Sequence, residues 1–244
     1  MKHGDHMMET VLVTGATSGI GRAMAFALHK AGYAVIALGR NAAALADLAA
    51  EVSGVRTVAV DLADRDAVAK ALTGQQIDIL VNNAGVMPKP GPFDAMDPAE
   101  IDQTLATNLA SVLFLTRLIV PQMRARQSGH VVFTGSSAAH APGANFAVYA
   151  ATKAAVSAFA AGLRGDLGAA GIRVTELVPG RVETRLYSDV LDAGTRRAMY
   201  EDGHSLQPED VADALVALLR LPARASVTRL DLMPTRPVPP IKIR

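Results

Sequence analysis

Tyr149 and Lys153 lie four residues apart in the stretch YAATK, with Ala150, Ala151 and Thr152 between them. On a helix that spacing puts both side chains on one face. A phenol held beside an ammonium is a pair able to trade a proton with something bound nearby. An ordinary amphipathic helix shows the same pair, so the pentapeptide alone decides nothing. What matters is whether the rest of the chain builds a ligand site around it.

A second group of residues suggests that it does. In VLVTGATSGIGRAMAFAL, Gly15, Gly19 and Gly21 follow a β-rich apolar run and head a helical one. Glycine lets a turn tighten and lets backbone approach a ligand closely. The helix start then offers free N–H groups and a positive dipole end to a pyrophosphate, as in dinucleotide-binding doubly wound folds. The spacing is GxxxGxG rather than GxGxxG. Such a turn can also serve only to pack a helix on a strand; the strand before it and the helix after it favour the ligand reading. Asp61 ends a later run in VAVDLAD, where its carboxylate would accept from an adenine amino group or, more plainly, cap a helix. NNAG, Asn82 to Gly85, ends another run. These points all fall on the C-terminal edge of the implied sheet, where open α/β sheets bind ligands.

The elements that must position these residues alternate along the chain. Strands are predicted over Thr10–Val13, Ala34–Leu38, Thr57–Val60, Ile77–Val81, His130–Thr134, Arg173–Leu177 and Val227–Leu232. Helices are predicted over Ile20–Ala31, Ala42–Val52, Arg65–Leu72, one long span from Pro98 or Ala99 to about Arg126, Val148–Ala169 and Pro208–Leu219. Alternation of this kind implies βαβ units and a parallel sheet covered on both faces. Runs such as DILVNN and HVVF are apolar without alternation, as strands buried on both faces should be. No linker divides the chain. The expected organisation is a tail over 1–9, one domain over 10–233 with a lid at about 185–207, and a proline-rich tail over 234–244.

Composition narrows the function classes. The chain has 244 residues, half of them hydrophobic, with formal net charge +1 and no cysteine. Disulfide and thiol chemistry are therefore excluded, and no block of like charge asks for nucleic acid or an anionic membrane. No apolar run is read as approaching the roughly 20 residues of a membrane span. MKHGDHMMET lacks the apolar stretch of a signal peptide, so the expectation is a soluble cytoplasmic protein. His3 and His6 lie in the tail and His29 on a helix surface; no metal is expected.

The ordered set TGATSGIG (Thr14–Gly21), NNAG, Asn108 in TNLAS, Ser136, YAATK and PGRVET (Pro179–Thr184) resembles the short-chain dehydrogenase/reductase family. The resemblance runs from about Thr10 to Pro234. It implies an α/β single-domain Rossmann fold, a doubly wound seven-stranded parallel sheet with helices on both faces. It also implies hydride transfer between a carbonyl and an alcohol, with Tyr149 as general acid/base. A free phenol has a pKa near 10, and the Lys153 ammonium is expected to lower it. Lys153 would also hold ribose hydroxyls. Ser136 would bind the substrate oxygen where charge develops, and Asn108 would hold a water linking Lys153 to solvent. The usual thirteen-residue gap to the tyrosine selects Ser136 over Ser137. GSSAAHAP then follows the pattern S-x-A-G-x-x-P, with Ala139 in place of glycine.

The cofactor residues implied are Gly15, Thr17, Ser18, Gly19, Ile20, Gly21, Arg40, Asn41, Asp61, Leu62, Asn83, Ala84, Gly85, Tyr149, Lys153, Pro179, Gly180, Val182 and Thr184. Gly39 stands where NAD enzymes carry an acidic residue, and Arg40 follows it. A guanidinium suits a phosphate bidentately, so Ser18, Arg40 and Asn41 would hold a 2′-phosphate, and NADP(H) is expected. If Arg40 is a plain surface residue, either cofactor fits. NADP(H) in turn suggests carbonyl reduction as the direction.

Substrate contacts are expected from Ser136, His140, Phe146, Tyr149, Leu186 and Tyr187, with Met87, Asn145 and Tyr200 as further lining. Arg185, Arg196 or Arg197 would bind a carboxylate, although the Arg196–Arg197 pair reads more plainly as a solvated helix face. The ending RLDLMPTRP is similar to that of NADP-dependent reductases that include serine and 3-hydroxy acid dehydrogenases, which favours a small polar carbonyl or hydroxy acid. The resemblance also implies a homo-oligomer, tetramer or dimer, paired through the 99–126 helix and the Tyr149 helix. The partner is then a small-molecule carbonyl or alcohol, with no nucleic acid and no membrane. Two other readings stand beside this one. A non-catalytic NADPH-binding redox sensor would not need Ser136, Tyr149 and Lys153 together. A nucleotide-sugar epimerase or dehydratase would need a longer C-terminal domain.

Overall fold

Seven parallel strands form one sheet in the order β3-β2-β1-β4-β5-β6-β7. They are β1 Thr10–Thr14, β2 Ala34–Gly39, β3 Arg56–Ala59, β4 Ile79–Asn82, β5 Gly129–Thr134, β6 Ile172–Pro179 and β7 Arg229–Leu232. The computed structural model describes residues 8–201 and 203–236. Parallel neighbours need crossovers, and helices supply them: α1 Gly19–Lys30, α2 Ala42–Glu51, α3 Arg65–Leu72, α4 Pro98–Leu105, α5 Ser111–Ala125, α6 Ala147–Gly168, α7 Ala193–Tyr200 and α8 Pro208–Leu219.

The central strands read as continuous apolar runs because both faces are covered. Alternate residues divide between two cores. Val11, Val13, Ile79, Val132 and Leu177 pack with Met24 and Leu28 of α1 and Leu215 of α8. Leu12, Leu80, Val131 and Val174 pack on the opposite face with Leu115 and Ile119 of α5 and Val156 and Ala160 of α6. Each fully buried aliphatic side chain contributes about 1.5–3 kcal/mol of transfer free energy. Strand order reverses between β1 and β4, which opens a crevice at their C-terminal ends.

The structure corrects several expectations. The single helix over 98–126 is two helices joined by a π turn, Ala106–Ala110, in which the Ser111 N–H bonds back to the Ala106 carbonyl. Ser111 Oγ donates to the Thr107 carbonyl at 2.6 Å. The extra residue in this turn is invisible to a 3.6-residue period, and such turns often mark functional sites. The joined stretch Pro98–Ala125 has 28 residues and is long and apolar enough to cross a membrane by length and composition, against the expectation of no such run. Here Leu115, Ile119 and Met123 pack in the core. The lid segment, for which no helix bounds were predicted, contains α7, capped by Asp192, whose side chain accepts from Thr195 N–H at 2.9 Å. β7 starts two residues later than expected; the Val227 carbonyl takes the Thr175 hydroxyl at 2.6 Å. Of the two tails, residues 1–7 and 237–244 lie outside the described residues.

Candidate active site

Side chains at the strand ends first fix the floor of the crevice. Thr14 Oγ1, at the end of β1, accepts the N–H groups of Asn83 and Ala84 at 2.9 and 3.0 Å. Asn83 Nδ2 donates to the Thr14 carbonyl at 3.0 Å, and its Oδ1 accepts from Thr134 Oγ1 at 3.2 Å. Three strand ends are thereby clasped by groups that would otherwise need water. Gly21 is required by close approach: a Cβ there would stand 2.3 Å from the Gly15 carbonyl oxygen and 2.5 Å from Asn83 Nδ2.

Above this floor lies a cleft of about 750 Å³. Its walls bring together every residue assigned to the cofactor from sequence, together with Ser136, Leu186 and Tyr187. The start of α1 faces it. Ser18 is the N-cap but makes no side-chain cap bond, and the first turn of α1 carries no acidic residue. The first-turn N–H groups and the dipole end are therefore left for an anion. At the far end Arg40 and Asp61 stand 3.8 Å apart, each half-exposed. Asp61 is not a helix N-cap; Asp64 caps α3, while Asp61 accepts from the Ala63 N–H at 2.9 Å. Asn41 Oδ1 caps α2 through the Ala44 N–H at 3.0 Å, which leaves only its amide nitrogen for a ligand. A Cβ at Gly39 would stand 2.6 Å from Thr17 Cγ2. An acidic side chain at that position would therefore have to displace Thr17.

The chemical end is built by α6. Tyr149 and Lys153 are both buried one turn apart, with Lys153 Nζ 5.9 Å from the phenol ring centroid. Nζ donates to the Thr134 carbonyl at 2.8 Å. Burial brings the Lys153 pKa down to about 8, and the Glu176 carboxylate acts against that fall. The expectation that Lys153 lowers the Tyr149 pKa is overturned. Burial raises it well above the ordinary phenol value, the Tyr187 hydroxyl adds to the rise, and only the hydrogen bond with Ser136 acts the other way. Desolvation disfavours a phenolate more than any neighbour here favours it. Ser136 Oγ also accepts from the Ala138 N–H at 3.1 Å.

Asn108 sits in the π turn and is clamped to Val86, accepting from its N–H at 2.8 Å and donating to its carbonyl at 2.9 Å. It borders the same space as Lys153: a Cβ on Gly85 would lie 3.5 Å from Asn108 Oδ1 and 3.8 Å from Lys153 Nζ. Two substrate candidates do not reach the cleft wall. His140 turns away to Glu176, with Nε2 3.8 Å from Oε1, and Phe146 caps the start of α6. Asn145 also lies off the wall. Tyr200, Arg196 and Arg197 line a neighbouring cavity of about 710 Å³ that shares Gly19, Thr184 and Arg185 with the first. Of the two arginines, Arg197 is exposed, as a solvated helix face requires, whereas Arg196 is half-buried and its Nε has no hydrogen-bond partner among the described residues.

Two residues were not singled out from sequence. Arg181, next to the assigned Gly180, lines the cleft and lies close enough to Tyr187 to offset part of its raised pKa. Glu176 is buried in mid-strand. A charge directly after PG, and another inside the apolar run RVTELVP, were the available signals. Among the described residues, no group of three or more His, Cys, Asp or Glu is placed to hold a metal.

The same assembly recurs in known proteins. The profile of the short chain dehydrogenase family matches residues 9–193. A short-chain type dehydrogenase/reductase from Sinorhizobium fredii is 46% identical over 96% of this chain and 94% of its own. Sulfoacetaldehyde reductase 2 from Chromohalobacter salexigens is 37% identical over 94% of this chain and 96% of its own. The closed form of serine dehydrogenase complexed with NADP+ superposes with a TM-score of 0.90 at 34% identity, covering 96% of this chain and 99% of that one. With fold, glycine turn and buried tyrosine–lysine pair in place over this length, the chain belongs to the short-chain dehydrogenase/reductase family.

Proposed function

We propose that the chain is an NADP(H)-dependent oxidoreductase that interconverts a carbonyl (an aldehyde, ketone or 3-oxo acid) and the corresponding alcohol, with Tyr149 as the general acid/base. The observation that carries this reading is the single cleft that joins the uncapped start of α1 to the buried Tyr149–Lys153 pair. The residues present fit a dinucleotide, because the glycine turn leaves room for it and the first turn of α1 leaves its N–H groups for a pyrophosphate. Arg40 and the Asn41 amide would take a 2′-phosphate, and the serine dehydrogenase relative holds NADP+. When bound, the nicotinamide supplies or accepts the hydride.

The chain's own residues do the rest. A phenol kept protonated by burial is poised to donate to a carbonyl oxygen, as carbonyl reduction requires. Ser136 would hold that oxygen where charge develops. Lys153 and Asn108, around Gly85, would return the proton from solvent. The lid at about 185–207 is pinned at its neck, where Leu206 N–H donates to the Arg181 carbonyl at 2.9 Å and Glu183 N–H to the Leu206 carbonyl at 2.8 Å. Exposed Leu105 and Leu113 on α4 and α5 suit a homo-oligomer packed through those helices.

The related enzymes named for sulfoacetaldehyde and serine act on small compounds bearing an acid group. Arg181, beside Tyr187 in the cleft, is the cation placed for such a group, ahead of the exposed Arg185. The test is oxidation of NADPH, and separately of NADH, against aldehydes, ketones, 3-oxo acids and 2-amino-3-oxo compounds. Turnover of an acid-bearing carbonyl with NADPH is expected. Tight NADPH binding without turnover across the panel would favour the sensor reading instead. Arg40→Asp should lower the preference for NADPH over NADH by about ten- to a hundredfold, the loss of one charge-assisted hydrogen bond. An unchanged ratio would place the phosphate elsewhere.

A further inference from the structure

Glu176 is a carboxylate the reaction described above does not use, and its setting is unusual. It points from β6 toward α6 and is only 4% exposed. One oxygen, Oε2, accepts from Ser157 Oγ at 2.9 Å. The other, Oε1, is buried with no hydrogen-bond donor among the described residues. Space for it exists because residue 135 is glycine; a Cβ there would stand 2.6 Å from Oε1.

A buried carboxylate with one unmatched oxygen costs stability. It persists in native folds mainly where it serves something nearby, and what lies nearby is the lysine. Ser157, which holds Oε2, is one turn beyond Lys153 on α6. Gly135, against Oε1, follows Thr134, whose carbonyl holds Lys153 Nζ at 2.8 Å. The carboxylate thus rests one turn beyond the lysine on α6 and one residue beyond the carbonyl that holds its ammonium. Outward, its contacts lead to the surface: His140 Nε2 is 3.8 Å from Oε1, and His140 Nδ1 is 3.5 Å from an Arg229 nitrogen. Arg229 is in turn paired with Asp231 at 2.5 Å. Arg164, further along α6, is occupied by the Val174 and Thr228 carbonyls. The cations around Glu176 are therefore Lys153, which its charge reaches through space, and His140, when protonated, and Arg229 at the rim.

We propose that Glu176 is a positioning residue of the active site, whose buried charge holds the Lys153 side chain in its ammonium form. Burial alone would drive that amine toward neutrality, and a neutral lysine could neither bind ribose hydroxyls as a full cation nor pass on a proton. This rests on the role given to Lys153 in the proposed function.

The experiment is a comparison of Glu176→Gln with the parent chain by three readouts. The first is the pH profile of kcat/KM for carbonyl reduction with NADPH. The alkaline limb should move to lower pH by about one unit in the variant, the effect of losing one nearby opposite charge. The second needs no turnover: the 13C shift of Lys153 Cε, titrated in the full chain, should show the same downward move. The third is thermal stability, which should fall, since the buried Lys153 ammonium loses its opposite charge; it serves to separate a folding defect from a shifted titration. Glu176→Asn removes the charge as well with a shorter side chain, so it reads the same shift if the Gln variant does not accumulate. A Cε titration that superimposes on the parent's overturns the proposal, and so does an unmoved alkaline limb with a lowered melting temperature, the mark of a merely structural carboxylate. A parent chain that turns over no carbonyl, yet shows the Cε shift, would count against the proposed reaction and leave the electrostatic role standing.

Discussion

Strands β5 and β6 carry a buried ionisable group on each face, and the two groups have opposite fates. On the α1/α8 side, His130 is 2% exposed and shares a 2.8 Å hydrogen bond with Thr175 Oγ1. On the α6 side, Glu176 shares a 2.9 Å bond with Ser157. Each leaves one polar atom without a hydrogen-bond partner among the described residues, His130 Nδ1 and Glu176 Oε1. Burial of the imidazole, helped by the Arg173 guanidinium, drops its pKa to about 3, so it stays neutral and inert. The carboxylate instead borders the two elements that hold Lys153 and connects through His140 to the surface. Burial and an unmatched atom therefore do not by themselves mark function. A path to the cleft and a cation to act on do.

The largest test of that contrast is Tyr149→Phe, which removes the proposed acid from the α6 face. Turnover should fall by about 10²–10⁴-fold, the usual worth of a placed acid/base, while NADPH binding measured by fluorescence stays close to the parent's. Near-normal turnover would take the chemistry off this face and dissolve the comparison. Next in size is the acid stability of His130. Its folded pKa of about 3 lies below the ordinary 6.5, so between those values the unfolded chain binds the extra proton. Its contribution is full above about pH 6.5 and is lost as pH falls toward 3, with a slope of up to ~1.4 kcal/mol per pH unit. Denaturant melts from pH 7 down to 4.5 should show that slope, flattened in His130→Gln, with turnover at pH 7 nearly unchanged. A large loss of activity in that variant would mean that the two faces are coupled. The smallest effect belongs to Ser157→Ala, which leaves Oε2 without its donor. A loss of about 1–3 kcal/mol of stability is expected, with kcat/KM within roughly threefold of the parent; a much larger kinetic effect would make Ser157 part of the chemistry.

Much of the molecule was legible from residues alone. The glycine turn, the unbroken apolar strands and the four-residue spacing of Tyr149 and Lys153 are local, and local patterns survive without knowing what packs on them. They led to the parallel sheet and to residues that line the cleft at its C-terminal edge. Other features were decided by tertiary structure. The π turn that turns Asn108 inward breaks the very period used to find the helix. His140, assigned to the substrate by its place before Tyr149, is drawn off by a carboxylate 36 positions later in the chain. The direction of the Tyr149 pKa followed from how much water the fold removes, which no i to i+4 spacing encodes. Glu176 was visible as a charge in an apolar strand. Its partners, Gly135, Ser157 and Lys153, become neighbours only when β5, α6 and β6 pack, because electrostatics acts through distance in space and burial rather than position along the chain.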